Sequence, residues 1–300
     1  MFNLYFAGYG SKEADLYLRE VKAHRLLSNF NERKLLQSWK SDGLSGRLFI
    51  DSGAYSVAHS GAVIDIDEYI SYINANSDIR IWVELDKIPY PVLNYHTAAE
   101  CSEISWKNYV YMRERVNPDV TLLPVYHFGE PISGLERILN TPVNGKLADY
   151  SCVGGRHGVG TEEQVQYFKT IHQIIKNSAN PNVKVHGLGI TVPRILESFP
   201  FYSSDSTTWL QLAVNGQILL KDLSYVVVSN KSTAKKDCIF NRPAECIEAV
   251  EKSVNEFGYT LKELSEDYNN RLRYNIDVLL NYEKNYTYKE EVGHMTVTLL

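Results

Sequence analysis

The stretch RLFIDSG (residues 47–53) is a short apolar run that stops on an acid, a hydroxyl and a glycine. Its aliphatic and aromatic residues suit a strand, and Asp-Ser-Gly suits the turn that ends one. The same form recurs along the chain. NLYFAG (3–8), IRIWVELD (79–86), TLLPVYHF (121–128), YSCVGG (150–155), VKVHGLGI (183–190), FYSSD (201–205) and SYVVVS (224–229) also read as strands, making eight with RLFIDSG. Segments of helical periodicity separate them. Their starts are marked by pairs at capping-box spacing: Asp65 with Glu68, Thr97 with Glu100, Ser133 with Glu136 and Thr161 with Gln164. Thr191 before Pro193, and the polar residues before Trp209, predict two more starts. Eight βα units in about 230 residues predict an α/β fold, a (β/α)8 TIM barrel, whose usual size is about 250 residues. A doubly wound open sheet is the alternative.

The 300 residues are 44% hydrophobic and 22% charged, enough apolar material for a large core. No apolar run reaches the roughly 18 residues of a membrane span, and the start MFNLYFAGYGSKEAD lacks a basic leader, so a cytoplasmic protein is expected. Cys101, Cys152, Cys238 and Cys246 are scattered without zinc or redox spacing. Reduced thiols, no metal and no cofactor are the expectation. The formal charge of −5 argues against a broad cationic face for long duplex nucleic acid.

Beyond Ser229 the pattern changes. NKSTAKKDCIFNRP (230–243) is polar and basic, and AECIEAVEKSVNEFG follows as a helix. Thr260 with Glu263 opens a long amphipathic helix whose stripe is Leu261, Leu264, Tyr268, Leu272, Ile276 and Leu279. Residues 1–229 are thus expected to form the barrel, and 230–300 a helical extension packed on its outside, not an independent domain. HMTVTLL, at the end of the sequence, reads as a short strand or an unstructured tail.

Barrel enzymes carry their chemistry where the strands end. There the sequence places Asp51 and Ser52, Asp86, His127, Gly154 and Gly155, the glycines of HGLGIT, and Asp205. Each aspartate alone also suits a helix cap or a turn, and Asp205 in FYSSDSTTW reads equally as a cap for a helix near Thr207. His186 reads as a satisfied core histidine, and Glu84, two residues from Asp86, as its buried partner on the same strand face. Arg156 and His157 suit either phosphate binding or a solvated loop. GVG and GLG lack nucleotide-binding spacing.

These motifs carry a family resemblance. DSGAYS (51–56) resembles the Asp-Ser-Gly-Gly-Phe-Gln signature of the tRNA-guanine transglycosylases, and VELDKIPYP, LLPVYHFGE, SCVGGRHGVG, HGLGIT and FYSSDSTTW follow in that family's order over roughly residues 45–210. The chain has no counterpart of the family's zinc-binding cysteine trio and histidine. Ala54 and Ser56 replace signature residues, and His127 stands where a base-reading glutamine is expected. In these respects the chain is similar to the shorter paralogues of phages and bacterial DNA-modification islands.

The resemblance implies a pentosyltransferase that exchanges guanine for a 7-deazaguanine in a polynucleotide, with DNA preferred over tRNA. Asp205 would trap the sugar as a covalent ester, and Asp51 would protonate the departing base and deprotonate the incoming one. Asp86 would accept from the base, with Ser52, Gly53, His127, Gly154 and Gly155 along its other edges. Tyr55, Tyr126 or Tyr202 would stack on it. Lys231, Lys235, Lys236 and Arg242, with Arg19, Lys22 and Arg25, are expected to contact phosphates around the rim. Two readings stay open beside it: an enzyme acting on a small nucleoside or nucleotide, and a non-catalytic barrel that binds modified nucleic acid.

Overall fold

The computed structural model describes residues 2–89, 96–155, 158–229 and 235–288, with Lys235 as backbone alone. Arg156, His157, Lys231 and the HMTVTLL stretch lie outside the described residues. Nine strand segments run parallel: β1 (Asn3–Phe6), β2 (His24–Ser28), β3 (Leu48–Asp51), β4 (Ile81–Val83), β5 (Thr121–Leu123), β6 (Val125–Tyr126), β7 (Tyr150–Gly154), β8 (Lys184–Leu188) and β9 (Ser203–Ser206). Their spatial order is β5-β4-β3-β2-β1-β9-β8-β7-β6.

The two ends of that order are halves of one stave, split at Pro124. β5 pairs with β4 and β6 pairs with β7, so the row returns on itself as an eight-staved barrel ringed by helices. Proline brings no N–H to the ladder and breaks it. The polar groups at the break find other partners. The Val125 amide donates to Glu84 Oε1 at 2.7 Å, and the Cys152 amide donates to the Pro124 carbonyl at 2.9 Å.

The barrel holds eight staves, as expected, but one of them is not the expected one. HRLLS forms β2, which the sequence pattern missed because His24 and Arg25 disguise it. SYVVVS supplies instead β11 (Tyr225–Val227), antiparallel to β10 (Gln217–Leu219) in a separate hairpin closed by the Leu220 amide on the Ser224 carbonyl. Strand character in a sequence does not name its partner.

Apolar side chains fill two shells. Tyr5, Leu26, Phe49, Val83, Leu123, Val125, Tyr150 and Cys152 pack inside the barrel. A larger layer with Trp39, Trp82, Phe168 and Trp209 lies between strands and helices. Thr97 and Thr260 form the expected capping boxes, and Asp65 accepts from the Glu68 amide at 2.8 Å. Ser133 lies inside its helix (Ile132–Asn140), and Gly160, not Thr161, caps the next one.

The long C-terminal helix is also two. Leu261–Glu266 ends at Asp267, which breaks the run by capping Tyr268–Asn285 through the Asn270 amide. The second helix lies against the barrel. Glu283 Oε1 accepts the Leu4 amide of β1 at 2.7 Å, and Asn275 links the Leu219 amide to the Trp209 carbonyl. Among the described residues no helix is long and apolar enough to cross a membrane.

Glu84 is buried, and its pKa lies well above the ordinary carboxyl value because burial disfavours its charge. A neutral amide should therefore replace it well. We expect Glu84→Gln to stay near wild-type stability, and Glu84→Ala to lose about 1–3 kcal/mol by stranding the Val125 N–H. Urea unfolding of both variants checks this.

Candidate active site at the C-terminal rim

β3 ends in Asp51, and the chain turns sharply after it. The turn requires Gly53, whose φ is +91° and whose added Cβ would lie 2.4 Å from that of Phe30. The Gly53 amide donates back to Asp51 Oδ2 at 2.9 Å, and the Ala54 amide donates to Ser52 Oγ at 3.1 Å. Ser52, fully buried, is thereby aimed at the neighbouring stave and donates to Asp86 Oδ1 at 3.0 Å.

Asp86 is engaged at both oxygens. Its Oδ2 meets His127 Nε2 at 2.8 Å, so β4 and β6 are tied across the rim. His127 rests over Gly154, where an added Cβ would approach Nδ1 to 3.2 Å. Burial opposes charge on this imidazole, but the hydrogen bond to Asp86 and the nearby Glu130 and Asp51 hold its pKa above the ordinary value.

Across the barrel, β9 is polar throughout and buried throughout. Each of its side chains has an engagement. Ser203 Oγ bonds the Tyr150 hydroxyl and sits 2.5 Å from His186 Nδ1. Ser204 Oγ donates to the Gly187 carbonyl at 2.7 Å. Ser206 Oγ accepts the Thr208 amide at 3.0 Å and so begins the helix Thr208–Val214. Asp205 is therefore not the cap of that helix. Its Oδ1 accepts from the Gly189 amide at 2.7 Å and meets His186 Nε2 at 3.2 Å, while no described residue bonds Oδ2.

The three strand-end acids share one field. Burial, then the charges of Asp86 and Asp205, raise Asp51 from 3.8 to about 7, against the Gly53 amide and His127, which lower it. Cys152, just below in the barrel, feels all three acids, and its thiol is held well above its ordinary pKa mainly by burial. Glu130, beneath His127, is raised by burial to about 7, and its Oε1 has no hydrogen-bond partner among the described residues. Sequence reasoning passed over Glu130. Its only signal was its place three residues beyond His127 at a strand end.

Other expected residues are dispersed. Tyr126 faces outward into the helix layer, buried, with its hydroxyl on the Glu130 carbonyl, so it does not stack at the rim. Tyr55 is exposed beside His59, and Gly155 packs on Ile190 and Gln164. Tyr202 packs on Tyr150 and under Lys184 at the other end of the barrel.

The described basic residues do not ring the rim. Arg25 is 1% exposed and its guanidinium donates to the Phe6 and Gly8 carbonyls. Arg19 and Lys22 lie where a helix returns to the start of β2, at the opposite end, and Arg19 is paired with Asp15 and Asp42. Lys236 is exposed on the segment that a Val227–Cys238 bridge fastens to the hairpin on the barrel's flank. Lys235 begins that segment, and Arg242, at its end, is paired with Asp237 at 3.3 Å. Among the described residues no group of three or more His, Cys, Asp or Glu side chains is placed to hold a metal ion.

No protein-family model matches the chain, and no curated protein matches it. Among solved structures the chain is similar to one described as "Native KDPGal structure", at 11% identity and a TM-score of 0.36, over 69% of this chain and 82% of that one.

The raised pKa of Asp51 has a consequence for stability. Between about pH 4 and 7 the folded protein keeps a proton that the unfolded chain releases. The stability from neutral Asp51 is thus full in acid and lost as pH rises through 7, and Glu130 acts with the same sign. We expect Asp51→Asn to lose less stability than wild type between pH 5 and pH 8. Urea midpoints at the two pH values test it, and an unchanged difference would contradict the assignment.

Proposed function

We propose that the protein is a base-exchange glycosyltransferase that replaces guanine with a 7-deazaguanine in a polynucleotide, DNA before tRNA, through a covalent aspartyl-glycosyl intermediate. The observation that supports this most directly is the contrast between two carboxyls at one rim. Asp205 is held at Oδ1 by two nitrogens with Oδ2 left unbonded, and Asp51 sits at a pKa of about 7. A fixed carboxyl and one that exchanges its proton near neutrality are the two roles that displacement at a glycosidic carbon requires.

Asp205 Oδ2 attacks C1′ as the C1′–N9 bond breaks. The departing purine takes that electron pair and a proton from neutral Asp51. The incoming base returns its proton to the Asp51 carboxylate, bonds C1′ and releases Asp205. Ser52, Gly53, Asp86, His127 and Gly154 form the wall against which the base lies. Tyr55, exposed, offers a ring to a neighbouring base.

A second reading, the same chemistry on a free nucleoside or nucleotide, draws on one observation. Arg25 is buried, Arg19 is paired and at the opposite end, and Arg242 is paired on the flank, so these arginines give the rim no phosphate track. Incubation with radiolabelled guanine or 7-deazaguanine and, separately, duplex DNA, single-stranded DNA, tRNA and nucleosides decides between them by where the label appears.

Asp205→Asn should abolish exchange, by at least about a thousandfold, because an amide cannot form the ester. Wild type given substrate without an acceptor base, then denatured, should carry a glycosyl adduct on the peptide containing Asp205. Full activity in the Asn variant with no adduct in the wild type would sink the nucleophile assignment.

A further inference from the structure

Four side chains from β7, β8 and β9 form one continuous hydrogen-bonded row that ends on Asp205. The Tyr150 hydroxyl meets Ser203 Oγ, Ser203 Oγ meets His186 Nδ1 at 2.5 Å, and His186 Nε2 meets Asp205 Oδ1 at 3.2 Å. All are buried inside the barrel. The imidazole is clamped as well as bonded, stacked on Phe49 at 4.3 Å between ring centroids with Tyr5 at its edge. The parallel register that sets His186 opposite Ser203 brings the row together.

The donors in such a row can be counted. With Asp205 as a carboxylate both its oxygens accept, so Nε2 must carry the proton. A neutral imidazole with that tautomer leaves Nδ1 as an acceptor, which Ser203 O–H fills. Ser203 Oγ in turn accepts from Tyr150 O–H. The phenol keeps its proton, since burial first, then Tyr5, drives its pKa far up. One direction satisfies every member.

Resting on the reading of Asp205 as nucleophile, we propose that Tyr150, Ser203 and His186 are positioning residues that fix the imidazole as an Nε2–H donor to Asp205 Oδ1 and so present Oδ2 alone to the sugar. A neutral donor holds the carboxylate without pairing its charge, which leaves it nucleophilic. The same N–H remains in place when the ester breaks and Oδ1 regains its charge. The Gly189 amide, also on Oδ1, makes the choice of oxygen the same from two directions.

The test joins two measurements. In protein carrying ¹⁵N-labelled histidine, His186 should show a protonated Nε2 and an unprotonated, hydrogen-bonded Nδ1. Tyr150→Phe and Ser203→Ala should shift the Nδ1 resonance. With a guanine-containing oligodeoxynucleotide or deoxyguanosine and no acceptor base, both variants should form the Asp205 adduct more slowly. The expected loss is roughly tenfold to hundredfold, as when a group that orients a reacting one is removed. KM should change by less than about twofold, which a merely destabilised protein would not reproduce. Adduct formation at the wild-type rate in both variants, or a proton found on Nδ1 in the wild type, overturns the proposal. No adduct in the wild type would instead overturn the reading of Asp205 itself, and the positioning role with it.

Discussion

The barrel closes across Pro124, and the arrangement of the rim follows from how it does so. A residue without an N–H cannot continue a ladder, so the stave pairs with β4 before the proline and with β7 after it. Glu84 reaches from the end of β4 to the Val125 amide and bridges the gap. Val125 and Tyr126 then register against Cys152 and Val153, and the next residue, His127, arrives above Gly154 within reach of Asp86. The histidine of the rim is therefore placed by the way the sheet is broken.

Several carboxyl groups in one small volume repel each other, and the protein separates them by environment. Glu84, Glu130 and Asp51 are pushed toward their neutral forms by burial. Asp86 and Asp205 are given donors by side chains of the strands and their ends, Ser52 and His127 for one, His186 for the other. The two histidines serve opposite halves of the barrel, and each meets its aspartate through Nε2. Such a division lets acids of like charge stand together, with His127 drawn toward its charged form among them.

Much of this was legible in the sequence, for local reasons. Apolar runs ending on polar residues mark strand ends, so Asp51, Asp86, His127 and Asp205 could be gathered on one rim before any coordinates. What escaped depends on pairing across the sheet. HRLLS was missed because Arg25 is polar by type yet buried by the Phe6 and Gly8 carbonyls that accept from it. The bond of His186 to Asp205 is a matter of register between staves. Tyr126 was expected at the rim because it sits beside His127, but it points outward into the helix layer while Val125 fills the barrel. FYSSDSTTW looked like a capped turn because its residues are turn formers. In place, Thr207 is the cap residue, and it is Ser206, one residue later than the acid, whose Oγ accepts the Thr208 amide.

The interlock of Leu4 with Glu283 sets the order in which the molecule can be completed. β1 takes its neighbours from β2 and from β9, some two hundred residues on, and its Leu4 amide finds its acceptor on a helix later still. Contacts of that sequence separation must wait for loop closure, and they slow folding. On a ribosome β1 is made some two hundred residues before β9 and leaves the tunnel with one edge unpaired. It stays so until β9 has been made and has emerged, exposed to the aggregation that open strand edges invite. The bond from the Leu4 amide to Glu283 forms only when that later helix has emerged in its turn.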